Sequence, residues 1–98
     1  IEINGLVVEN TKTKMGKDFY DYFYQRYLQE GASFSFIIHI NEKPFPGRGS
    51  LISIEIEDKT IVEFQARPDQ EFIEGAAKYS MAKVIEYSKN KKEIPKVY

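Results

Sequence analysis

Three runs of alternating side chains, bracketed by two stretches of helical periodicity, predict an α+β fold for this 98-residue chain: an antiparallel sheet of three or four strands with two helices packed on one face. In the first run Phe34, Phe36, Ile38 and Ile40 oppose Ser35, Ile37, His39 and Asn41. In the second, Ile52, Ile54 and Ile56 oppose Ser53, Glu55 and Glu57, and in the third Val62, Phe64 and Ala66 oppose Glu63 and Gln65. Successive strand residues point to opposite sheet faces, so one face is apolar and must be covered while the other is mostly polar.

The N-terminal element is short and β-branched: Gly5 to Glu9, with Leu6, Val7 and Val8, reads as a strand or extended lead-in. A helix follows. Thr13 is suited to cap it, because a threonine hydroxyl accepts from the free amides of the next turn, and Gly31 lies where a left-handed residue would end it after Glu30. Met15, Phe19 and Phe23 recur at helical spacing and form its expected buried stripe. The connection from Pro44 to Ser50 is rigid at its start, where proline fixes φ, and permissive at Gly47 and Gly49, so it should project from the sheet. The next connection is a tight hairpin centred on Asp58-Lys59, without the glycine that would assign its turn type.

Pro68 ends the third run, and Asp69 can cap a second helix with Glu71 in its first turn, favourably placed against the helix dipole. This helix should run to about Lys89. Ile73, Ala77, Ser80, Val84 and Tyr87 are its expected core positions, with Phe72, Ala76 and Tyr79 on the adjoining stripe. Gly75 inside it costs about 1 kcal/mol relative to alanine, which would be offset if it allowed a close approach to the sheet. The chain thus reads as one domain over residues 1–98, with 1–12 extended, 13–89 the core and 90–98 a loose basic tail. Its core is small, and oligomerisation is a common remedy for that.

Composition narrows the function. Fourteen basic residues against fifteen acidic give a net charge of −1, without the basic excess a phosphate-binding surface needs, so nucleic acid is not an expected partner. No cysteine is present, which excludes disulfides, thiolate metal sites and thiol nucleophiles. The longest apolar run is far short of the ~20 residues of a membrane span. The chain opens at Ile1 rather than methionine, as expected if an upstream segment such as a signal peptide has been removed.

No catalytic constellation stands out. His39 is the single histidine, on the polar face between Ile37 and Asn41, and neighbouring strand residues point apart from it. The acidic residues Glu55, Glu57 and Glu63 are spaced as a solvated sheet face, not as metal ligands. No catalytic residue, metal site or cofactor is therefore expected. The more unusual feature is the first helix, where six aromatic side chains (Phe19, Tyr20, Tyr22, Phe23, Tyr24 and Tyr27) surround most of the circumference, more than a one-sided core can use. Tyr20 and Tyr24, one turn apart, are the candidates for a partner-facing patch. Phe45 and Arg48 on the projecting loop, and Tyr79 on the second helix, are further interface candidates. Lys89, Lys91, Lys92 and Lys96 complement a helix C-terminus and could also steer an acidic client. The residues by themselves leave open a stand-alone ligand-binding α+β module or a small hydrolase using His39.

Gly5-Leu6-Val7, Thr11 to Gly16 leading into Asp18-Phe19-Tyr20 and Phe23, then Ile40-Asn41-Glu42-Lys43-Pro44, Gly49-Ser50, Ile52-Ser53-Ile54, and later Phe64-Gln65, Pro68 and Phe72 form a distinctive set of segments. Taken together they resemble the CsgE family of curli secretion accessory factors. The resemblance covers nearly the whole chain. It implies a periplasmic, non-enzymatic adaptor that captures unfolded curli subunits, restrains their premature polymerisation, and caps the periplasmic entrance of the nonameric outer-membrane curli channel, itself as a homo-oligomeric ring. Arg48 and Leu51 stand where some relatives carry tryptophan, so an aromatic anchor on that loop does not transfer.

Overall fold

The computed structural model describes residues 6–30, 34–47 and 49–93, the last three by their backbone alone. Six elements follow one another: β1 (Leu6–Asn10), α1 (Lys14–Gln29), β2 (Ile37–Pro44), β3 (Ser50–Ile56), β4 (Lys59–Gln65) and α2 (Gln70–Glu93). They build an α+β fold in two layers, a four-stranded sheet in the order β1-β2-β3-β4 with both helices over one face.

The expected parity holds in all three alternating runs. Ile38, Ile40, Ile52, Ile54 and Ile56 are fully buried, and Phe36, Val62 and Ala66 nearly so. Against them pack Phe19 and Phe23 of α1 and Ile73, Ala77, Met81 and Val84 of α2, all in one cluster. Tyr27 joins it from the end of α1, while Met15 only borders it. The caps are those read from the sequence: the Thr13 hydroxyl accepts from Gly16 N–H, and Asp69 accepts from the amides of Glu71 and Phe72.

The sheet is mixed rather than purely antiparallel. β1 pairs with β2 in parallel, Val7 opposite Ile38 and Glu9 opposite Ile40, whereas β2-β3 and β3-β4 are antiparallel. The reason is the crossover: sixteen residues of helix carry the chain back about 24 Å, so β2 begins at the end where β1 began. β1 and β4 are therefore the two edges.

Three local expectations change. The β3-β4 turn is centred on Glu57-Asp58, one residue before the predicted position, with Ile56 opposite Lys59. Both turn residues have positive φ (53° and 67°), the twist that a two-residue hairpin prefers even without glycine. α2 continues past Lys89 to Glu93, so residues 90–93 of the predicted tail are helical, and residues 94–98 lie outside the described residues. Gly75 makes no close approach to the sheet: a Cβ there would meet no described residue within 4 Å. Gly31, the expected left-handed helix end, lies outside the described residues.

Candidate functional site

The polar centre of the fold is Glu42. It continues the parity of Ile38 and Ile40 and so points into the helix-covered layer, where it is only 4% exposed. Its carboxylate accepts from the backbone N–H of Lys12 (2.6 Å) and Thr13 (3.0 Å) and from the Thr13 hydroxyl (2.5 Å), and the Ser50 hydroxyl also bonds to it. Burial alone would raise its pKa; the hydrogen bonds outweigh it and hold the carboxyl down at about 2. The ion is thus fixed against the N-terminus of α1, where free amides and the dipole favour negative charge. Gly16 makes room for it. A Cβ on Gly16 would stand 2.9 Å from the carboxyl carbon of Glu42 and closer still to an oxygen. Thr13, Gly16, Glu42 and Ser50, scattered over the recognisable segments of the sequence, are therefore one latch that sets α1 on the sheet.

Around this frame lies a surface rich in rings. Tyr20 stacks on Tyr24 (centroids 5.6 Å apart) and Tyr24 on Tyr27 (5.7 Å); the series continues through Phe34 and Phe36 to Tyr87. Tyr20 and Tyr24 are half-buried, so each presents one side to solvent and one to its neighbours. Burial pushes the phenols of Tyr20 and Tyr27 up, so both stay neutral hydroxyls at physiological pH. At the far end the Tyr87 hydroxyl donates to Glu57 (2.5 Å), tying α2 to the β3-β4 turn. The stripe is both a packing seam and an exposed aromatic surface.

The other interface candidates are placed apart from it. Phe45 is 37% exposed at the start of the β2-β3 loop, which closes through Phe45 N–H donating to Gly49 C=O. Gly47 and Gly49 have φ of 97° and 91°, positions where an L side chain would be strained. Arg48 lies outside the described residues. Tyr79 is 58% exposed on α2, with the Lys83 ammonium 5.5 Å from its ring centre. It bounds a groove of about 380 Å³ between α2 and β4, lined by Val62, Phe64, Phe72, Gly75 and Ala76, with Glu63 and Glu71 at the rim. Lys89 is exposed on α2, Lys91 and Lys92 are on its last turn, and Lys96 lies outside the described residues.

Little here has the form of a reaction centre. His39 is half-buried on the open sheet face, with Glu55 opposite it across the strands, and its imidazole makes no hydrogen bond to another described residue. A shallow depression beside it is lined by Ser35, Ile37, Glu55, Glu57 and Asp58. Among the described residues no group of three or more histidine, cysteine or acidic side chains could hold a metal ion, and no helix is long and apolar enough to cross a membrane.

Sequence reasoning missed Glu42 as a buried ion, although its parity was visible, because its partners lie about thirty positions away. It also missed the groove, since Gly75 read as a packing residue. A search of curated proteins finds no relative that matches the chain. A family model does match, that of the curli assembly protein CsgE, and it spans residues 3–96. The match takes in every element of the fold and all four residues of the latch, and the chain belongs to the CsgE family of curli assembly proteins.

Proposed function

We propose that this chain is a non-enzymatic adaptor of curli secretion, acting in the periplasm. It captures unfolded curli subunits, restrains their polymerisation, and caps the periplasmic entrance of the outer-membrane curli channel as a homo-oligomeric ring. The observation that carries the reading is the family match along residues 3–96. The surface supports it. Phe45 and Tyr79 expose large rings on separate elements, and the Tyr20-Tyr24 pair adds a stacked aromatic surface along α1. Exposed tyrosines and phenylalanines offer large contact area at low entropic cost, and they are the side chains interfaces favour. Arg48 and the lysines Lys89, Lys91, Lys92 and Lys96 complete the set of contact residues proposed for the channel, the ring or the client.

Amyloid growth of a purified curli subunit, followed by thioflavin T fluorescence, tests the client half of this function. Added at less than equimolar amount, the folded chain lengthens the lag. An unchanged lag, with the chain shown folded by circular dichroism, rules out restraint of polymerisation.

A further inference from the structure

β4 is an edge strand, and its free side can be read from the hydrogen bonds on its paired side. Ala66 N–H donates to Ser50 C=O at 2.8 Å, so by the two-residue period of a strand Phe64 and Val62 also direct their backbone groups toward β3. Glu63 and Gln65 then direct theirs outward. Unpaired edge groups are a template for another strand unless something covers them. Here nothing among the described residues does, and α2 passes beside that edge with a gap beneath it.

The gap has the shape of a missing strand's side chains. A fifth strand would lie about 4.8 Å beyond β4, and every second side chain would enter the helix-covered layer. That space is the apolar groove walled by Val62 and Phe64 on one side and by the Phe72-Ala76-Tyr79 stripe of α2 on the other. Gly75 opens it further: a helix interior glycine costs about 1 kcal/mol relative to alanine, and this one relieves no contact with any described residue. The rim carries the carboxylates of Glu63 and Glu71, and neither has an ion-pair partner among the described residues.

We propose that the outward edge of β4 and the groove beneath α2 form the client site, taking an extended segment of a partner polypeptide as a fifth strand. The occupant has apolar side chains at alternate positions, to fill the groove, and a lysine or arginine near Glu63 and Glu71. This rests on the capture of unfolded curli subunits proposed above and specifies how it occurs: main-chain hydrogen bonds to Glu63 and Gln65 supply affinity, and the groove supplies selection. A segment held this way has one edge occupied by a folded domain, and growth by strand addition at that edge stops.

The probe is a purified curli subunit kept unfolded and free of denaturant. Backbone hydrogen exchange reads the site directly, because the amides of Glu63 and Gln65 exchange rapidly in the free chain and become protected with subunit present. Two variants complete the test. Gly75→Leu places a side chain in open space on a helix, so it folds at least as stably as the parent while filling the groove. Glu63→Pro removes an outward amide that β3 does not use. Each weakens subunit binding about tenfold or more, measured by fluorescence anisotropy. Subunit binding without protection at Glu63 and Gln65, and with Gly75→Leu behaving as wild type, overturns this site and leaves the adaptor function standing. Protection that appears with rising chain concentration and no subunit assigns the groove to a second copy and also overturns it. Absence of subunit binding by the wild-type chain removes both.

Discussion

Replacing Glu42 by glutamine keeps the shape of the latch and removes its charge. The carboxyl is held at about 2 instead of 4.5, so its ionised form is favoured in the folded state by about 3.4 kcal/mol. Because the folded-state pKa is the depressed one, this contribution is complete above the unfolded value and is lost as pH falls through 4.5 toward 2. At pH 3 it has shrunk to about 1.4 kcal/mol. The Glu42→Gln variant is therefore less stable than wild type at pH 7 by about 3 kcal/mol, and the gap narrows by about 2 kcal/mol at pH 3. Urea unfolding of both proteins at the two pH values measures this. Glu9 is also shifted down, first through its hydrogen bond from Thr11, but it is present in both proteins and cancels in the difference. A gap of equal size at pH 3 and pH 7 would show that the charge is not what the latch uses.

Three further substitutions test the same physical account. Gly16→Ala, which helix propensity alone would favour by about 1 kcal/mol, instead destabilises by about 2 kcal/mol because its Cβ displaces Glu42; a stabilised variant in thermal unfolding would show that the carboxylate relocates freely. Ser80 is fully buried and its hydroxyl has no hydrogen-bond partner among the described residues, so Ser80→Ala raises stability by about 1 kcal/mol, and a loss in urea unfolding would point to a partner for the hydroxyl. His39→Ala leaves subunit and channel binding at the wild-type level, since the imidazole bonds to no described residue; a folded His39→Ala chain that no longer binds would revive the reading of His39 as a functional centre.

The parts of this fold that could be read from the sequence are those set by near neighbours. Alternation fixed which face of β2, β3 and β4 is covered, and Thr13 and Asp69 marked the helix starts that their side chains in fact cap. What could not be read depends on distant or conformational partners. The parallel pairing of β1 with β2 joins residues 31 positions apart, as in Leu6 with Ile37, and no local pattern signals it. The turn at Glu57-Asp58 places two non-glycine residues at positive φ, where composition gives no cue. Gly75 illustrates the opposite error, because a helix glycine commonly marks close packing and this one faces open space. Tyr20 and Tyr24 were legible as a surplus of rings, but only the fold shows that they stack in series with Tyr27, Phe34 and Phe36. The groove escaped notice because it is made jointly by a strand edge and a helix flank.

The adaptor function is tested most directly by the mass of the detergent-solubilised curli channel, measured by light scattering with and without the purified chain. A capping ring gives a stable heavier complex, with the chain present subunit for subunit. A channel that is verified as active and keeps its own mass beside a folded, unbound chain would contradict capping.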